Sequence, residues 1–245
     1  MKNEFLIIIP ARHESSRFPG KALAKIKGKP MIERVWERCC LAVPINLIYV
    51  ATDCENIAAH CADVGIQYLM TSDKCLTGTD RVYDASRQVD AKTYINVQGD
   101  EPLLDPQDIL DVIAEARVKP NNVINAMCPI KLESDFRSSS VPKVVARPDG
   151  RLLYMSRAAL PTTKNFDFKG AKKQVCIYAF PKKSLESFAT VAQKTPLESI
   201  EDIEILRFLE LGYEVSMIEV SSSSISVDFP EDVLRVEEVL NRGFK

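Results

Sequence analysis

The chain opens with an apolar run, Phe5-Leu6-Ile7-Ile8-Ile9, closed by Pro10. A short run rich in β-branched residues and ended by a breaker predicts a buried strand covered on both faces. A polar loop follows to about Lys21, and Pro30 then opens a helix whose Met31, Ile32, Val35, Trp36 and Cys39 recur at helical spacing. Leu47 to Ala51 predicts a second strand, and Ile57, Ala58 and Cys61 mark a short helix after Asp53. Strand, loop, helix, repeated, is the rhythm of a parallel sheet. It continues with strands over 66–70 and 92–97, and with helices over 79–89 and from Asp105-Pro106 onward, where Ile109, Val112, Ile113 and Ala116 form the apolar face.

From about residue 123 the pattern changes. Short strand-like runs at 123–128, 143–146, 151–155 and 174–180 alternate with turn-rich stretches such as Arg147-Pro148-Asp149-Gly150. This predicts an antiparallel or mixed insertion, an obvious candidate for an oligomerisation arm. One helix is expected over 197–211, a strand over 214–220 and a last helix over 230–241. The fold class is therefore α/β: one domain over 1–245, built on a mostly parallel sheet, with 123–180 as a mixed β insertion.

Composition narrows the function. With 32 basic and 34 acidic residues in 245, the net charge is −2, so bulk nucleic-acid binding is disfavoured. Seven cysteines without a CxxC spacing and only two histidines disfavour both a zinc site and a disulfide framework. The cysteines read as reduced, small apolar fillers, which points to a cytoplasmic setting. No apolar run approaches the ~20 residues of a membrane span, and the first run is too short for a signal peptide.

In an open parallel sheet, ligands bind beyond the carboxyl ends of the strands. Four segments fall there: 11–21, Thr52-Asp53, 98–102 and 221–228. The first holds Arg12, Arg17 and Lys21 among serines and a glycine, a composition that suits phosphates. It is neither a Walker loop nor a dinucleotide fingerprint, and by itself it reads equally as a solvated basic turn. Asp100, after a buried strand and Gly99, suits a hard divalent cation such as Mg²⁺, and Asp228 could complete such a site from afar. Each could equally be a turn or capping carboxylate.

Several of these segments together carry a likeness. They include Ile9-Pro10-Ala11-Arg12 running on to Ser16-Arg17-Phe18-Pro19-Gly20-Lys21, then Gly28-Lys29-Pro30-Met31-Ile32 and Ala51-Thr52-Asp53. Met70-Thr71, Thr77-Gly78-Thr79-Asp80-Arg81 and Asn96-Val97-Gln98-Gly99-Asp100-Glu101-Pro102 follow. Tyr154-Met155-Ser156-Arg157 and Val227-Asp228-Phe229-Pro230-Glu231-Asp232 complete the series. In this order they make the chain resemble, nearly end to end, the cytidylyltransferases that activate 3-deoxy-manno-octulosonate (Kdo) for lipopolysaccharide synthesis.

The resemblance implies a nucleotide-diphospho-sugar-transferase-like (Rossmann-like) fold, a homodimer, Mg²⁺ as cofactor, and CTP and a Kdo-type acid sugar as substrates. It implies that Arg12, Lys21 and Asp100 are catalytic. Ala11, Arg12, Ser16, Arg17, Lys21, Thr52, Thr71, Gly78, Thr79, Asp80, Arg81 and Gln98 would hold the nucleotide, with Ala11 and the 77–81 segment reading cytosine. Gln98, Arg157, Gln174, Tyr178, Glu204 and Ile205 would hold the sugar, Arg157 through its carboxylate, and Asp100 and Asp228 the metal. Catalysis then consists of positioning and charge neutralisation, without a covalent intermediate.

Two positions depart from the family pattern. Gln174 stands where the family has His, and Ile205 where it has Gln. A lost partner at a buried hydroxyl costs about 1–3 kcal/mol, enough to change substrate preference. The expectation is therefore a changed sugar, 8-amino-3,8-dideoxy-manno-octulosonate, whose ammonium would meet an acidic cluster of Glu198, Glu201, Asp202 and Glu204 on one helix. Ordinary Kdo is the alternative, with neutral drift at the two positions. Transfer to a sialic-acid-like nonulosonate and an inactive nucleotide-binding regulator are the remaining readings.

Overall fold

The computed structural model describes residues 3–12, 17–221 and 224–243. In chain order the elements are β1 (Asn3–Ala11), β2 (Lys25–Ile26), β3 (Lys29–Pro30), α1 (Met31–Ala42), β4 (Ile48–Thr52), α2 (Glu55–Asp63), β5 (Tyr68–Met70), α3 (Gly78–Ser86), β6 (Ala91–Val97) and α4 (Pro106–Val118). Then come β7 (Val123–Pro129), α5 (Glu133–Arg137), β8 (Lys143–Ala146), β9 (Leu152–Ser156), β10 (Lys172–Pro181), α6 (Lys182–Ala189), α7 (Pro196–Glu201), α8 (Ile205–Glu210), β11 (Val215–Glu219) and α9 (Pro230–Asn241). These form two compact units, Met1–Leu110 with Ser223–Lys245, and Asp111–Ser222, so that the chain crosses between them within α4.

The first unit carries the parallel sheet that the alternating pattern predicts, in the order β6-β1-β4-β5. Leu6 to Ile9 of β1 are wholly buried, as a central strand covered on both faces requires. Pro30 stands just before α1, where its fixed φ suits helix entry, and Met31, Ile32, Val35 and Cys39 form the buried stripe. Thr77 and Asp80 make a reciprocal capping box at the start of α3. A second cluster, Ile26, Met31, Leu103, Val227 and Val236, packs α9 and the irregular segment before it against the β2–β3 hairpin and the 98–104 turn.

The second unit is mixed. Strand β11 runs parallel to β7, whereas β7–β10, β10–β8 and β8–β9 are antiparallel. The β-rich segment expected over 123–180 is thus part of a larger body that also includes β11 and the helices α6 to α8. The single helix expected over 197–211 is instead two short ones, because Asp202 adopts a left-handed φ of 51° and ends α7. Glu198 of α7 and Arg207 of α8 are both fully buried and paired at 2.6 Å and 2.7 Å, with the guanidinium 3.6 Å from the Phe188 ring centroid.

None of the seven cysteines is in a disulfide, and burial pushes the Cys61 thiol up to about 11, consistent with inert fillers. Among the described residues, no helix is long and apolar enough to cross a membrane.

Candidate active site

Lys21 follows Gly20, whose φ of 71° is the left-handed turn that starts a short 3₁₀ segment. Its Nζ donates to Asp100 Oδ2 at 2.6 Å and lies 4.0 Å from Asp228 Oδ1. Arg17 Nη2 donates to that same Asp228 oxygen at 2.7 Å, and its guanidinium lies 5.5 Å from the Phe229 ring centroid. Two carboxylates far apart in sequence thus share cations from the first loop.

The backbone explains this convergence. The Val227 amide donates to the Asp100 carbonyl at 2.9 Å, laying the two segments side by side. Asp232, at the third position of α9, accepts from the amides of Asp228 and Phe229 at 3.0 Å and 2.9 Å, which fixes the approach of Asp228. Gly99 is required by crowding: a Cβ there would sit 2.9 Å from the Pro10 carbonyl of β1. Burial raises the Asp228 carboxyl above its ordinary range, the Asp100 charge adds to this, and Arg17 and Lys21 oppose it.

The 77–81 segment is brought to the same unit. A Cβ at Gly78 would meet the Gln98 side-chain amide at 2.8 Å, so the start of α3 lies directly against Gln98. Arg81 is buried, donating to Asp53 Oδ2 at 2.6 Å and to Thr71 Oγ1 at 2.7 Å. Asp80 accepts from Thr77 as the helix cap, and Thr52 is buried with its hydroxyl accepting from the Cys54 amide. Thr52, Thr71, Asp80 and Arg81 are therefore locked into one another or into the local backbone, beside Gly78 and the buried Thr79 at the start of α3. Ala11 is buried and pairs in register with Thr52, whereas Arg12 is exposed at the end of β1. Ser16 lies outside the described residues.

The sugar-side candidates lie in the second unit, except Gln98. Arg157 Nε donates to the Glu201 carbonyl, Nη1 to the Ser139 carbonyl and Nη2 to the Asp202 carbonyl. Each terminal nitrogen carries a second N–H, and the Asp202 carboxylate lies 3.8 Å from Nη2. Gln174 is half-buried and donates to Asn125, while Tyr178 is buried and stacks on Phe180. Ile205 is buried at the start of α8, immediately after Glu204.

The acidic cluster is not the open patch that the sequence suggests. Glu198 and Glu201 lie on α7, Asp202 caps its end and Glu204 precedes α8; Glu198 is neutralised by Arg207, and Glu201 accepts from Ser156, Tyr154 and the Arg157 amide. Asp202 pairs with Lys194. Burial opposes ionisation of Glu201, but those hydrogen bonds prevail and hold its carboxyl below the usual range.

Sequence reasoning passed over Asn125, met Asp232 only as part of a motif and Glu201 only as part of the acidic cluster, and gave no role to Lys143. Lys143 is fully buried, its ammonium held by the carbonyls of Ser138, Val141 and Arg157. Asn125 interrupts the apolar strand Val123-Ile124-Asn125-Ala126, a legible signal of a buried polar role.

Asp100 and Asp228 are the carboxylates available to Mg²⁺ in the first unit. Among the described residues, no group of three or more His, Cys, Asp or Glu side chains could hold a metal ion. Two hard carboxylate oxygens, already drawing on the cations of Arg17 and Lys21, nevertheless fit an ion that takes one or two carboxylates and completes its shell with water and substrate phosphate.

Comparison with known proteins gives a consistent result. Residues 6–218 match the profile of a family described as Cytidylyltransferase. The chain is 40% identical to a 3-deoxy-manno-octulosonate cytidylyltransferase of Geobacter metallireducens, over 96% of this chain and 97% of that protein. It is 37% identical to an 8-amino-3,8-dideoxy-manno-octulosonate cytidylyltransferase of Shewanella baltica, over 96% and 97%. A solved CMP:2-keto-3-deoxy-manno-octonic acid synthetase complexed with CTP superposes with a TM-score of 0.90 at 32% identity, covering 98% of this chain and 99% of that one.

Proposed function

This chain belongs to the cytidylyltransferase family, and from that premise we propose that it joins CTP to 3-deoxy-manno-octulosonate, giving the CMP-sugar and pyrophosphate. The observation that carries the reading is Lys21 held between Asp100 and Asp228. The first unit gathers the cations, the strand-end carboxylates and the Gly78–Gln98 wall that a nucleoside triphosphate needs. The similarity to Kdo cytidylyltransferases supports the substrate.

In this reading Arg12, Arg17 and Lys21 bind the triphosphate and offset the charge that grows on departing pyrophosphate. Gly78 lets the start of α3 pack directly against Gln98, setting the wall on which the base would rest. Arg157 offers its two remaining N–H groups to the sugar carboxylate. The anomeric hydroxyl displaces pyrophosphate in line at the α-phosphorus, so the residues chiefly position and neutralise. Asp100 and Asp228 would hold Mg²⁺, which when bound supplies charge neutralisation for the phosphates.

The 8-amino sugar is the second reading, favoured by Gln174 and Ile205. The pairing of Glu198 with Arg207 and the hydrogen bonds of Glu201 weaken the ammonium-binding patch on which it leaned. Pyrophosphate release from CTP with each sugar in turn is the test. The expected result is faster release with Kdo, and faster release with the 8-amino analogue would reverse the order of the two readings.

A further inference from the structure

Strand β10 carries an irregularity opposite Asn125. Val175 pairs with Ala126 and Tyr178 with Asn125, so two extra residues, Cys176 and Ile177, bulge out between consecutive positions of β7. A bulge leaves backbone groups without ladder partners, and here the Asn125 side chain meets them. Its Nδ2 donates to the Val175 carbonyl at 3.0 Å and to the Ile177 carbonyl at 2.9 Å. Asn125 is fully buried.

Those two bonds use both N–H groups of the amide and settle its orientation, since the reverse orientation would set oxygen against two carbonyls. Asn125 Oδ1 is then fixed as an acceptor. It receives Gln174 Nε2 at 2.9 Å, and this fixes the second amide in turn. Nitrogen faces inward at Gln174, so its Oε1 lies on the other side of the amide, on a side chain that is only half-buried. Orientation passes from the bulge carbonyls through Asn125 to Gln174.

We propose that Asn125 is a specificity-determining positioning residue, aligning Gln174 so that its carbonyl oxygen is presented as an acceptor to a hydroxyl or ammonium of the sugar acid. This rests on the reading of the chain as a Kdo-type cytidylyltransferase with Gln174 on the sugar side. A side chain free to rotate would offer donor and acceptor by turns; a fixed amide discriminates, because a ligand group that cannot donate leaves Oε1 unpaired.

The test is a double-mutant cycle on Asn125→Ala and Gln174→Met, read as KM for the sugar and KM for CTP, with folding checked by thermal melting. Gln174→Met is expected to raise the sugar KM by about tenfold, with KM for CTP unchanged. Asn125→Ala is expected to raise the sugar KM severalfold in the wild-type background and not at all in the Gln174→Met background. An equal effect in both backgrounds would make Asn125 merely a staple of the bulge and overturn the proposal. If Asn125→Ala does not fold, Gln174→Met alone decides, since it leaves the bulge bonds intact, and an unchanged sugar KM overturns the proposal. Wild-type protein that releases no pyrophosphate with either sugar takes the functional reading down as well, whereas active wild type with an indifferent Gln174→Met sinks this inference alone.

Discussion

The Lys21 ammonium donates to the Asp100 carboxylate across 2.6 Å, joining residues 79 positions apart. Because the same ammonium lies 4.0 Å from Asp228, its removal takes a cation from both partly buried carboxylates and leaves Arg17 paired with Asp228. Lys21→Met is expected to lower kcat/KM about 100-fold or more, as for loss of one group that stabilises developing charge. Steady-state pyrophosphate release measures it, and wild-type kinetics would place Lys21 outside the reaction.

Gly99 and Gly78 are crowded by different neighbours, which separates two substitutions that look alike on paper. At Gly99 the obstacle is the Pro10 backbone carbonyl, so Gly99→Ala forces a main-chain shift costing about 1–3 kcal/mol and lowers the melting temperature. At Gly78 the obstacle is the end of the Gln98 side chain, which can swing away. Gly78→Ala is therefore expected to leave melting within about 2 °C of wild type while raising KM for CTP. Paired melting curves and CTP titrations check both.

The Glu198–Arg207 pair is fully buried, so removing one partner strands a charge in the core. Arg207→Met is expected to destabilise by about 3–5 kcal/mol, and the Glu198→Leu/Arg207→Met double variant to recover much of that loss. Denaturant unfolding reports both. A double variant as weak as the single one would show that the pair stabilises as such.

Glu201 supplies the pH dependence. Its folded-state carboxyl is held below the ordinary glutamate range, so the folded protein binds fewer protons there than the unfolded chain. Its contribution to stability is present above the ordinary value and is lost as pH falls through the lowered one. Glu201→Gln should melt below wild type at pH 7, and the gap should close as pH falls below the ordinary glutamate range. A gap independent of pH would contradict this assignment.

Much of the fold was legible because its signals are local. The apolar run ending at Pro10, the Pro30 helix start and the 230–241 periodicity each map onto β1, α1 and α9. The break at Asp202 was not legible, since the apolar residues on both sides keep helical spacing and only a left-handed φ separates them. The convergence of Asp100 with Asp228 was readable from family motifs, whereas the cause, an amide of Val227 on the Asp100 carbonyl and the Asp232 cap, is tertiary. The acidic cluster misled because composition shows charge but not partners, and three of its four members are engaged by Arg207, Ser156 and Lys194. Asn125 left a trace as a lone polar residue in an apolar strand, but the bulge it fills has no sequence signature of its own.

The most direct measurement is pyrophosphate release from CTP and Kdo by Asp100→Asn, Asp228→Asn and the double variant. If the two carboxylates serve the reaction as one unit, each single change lowers kcat/KM about 100-fold and the double change falls far short of the product of the two. Either single variant retaining wild-type kcat/KM would contradict the account.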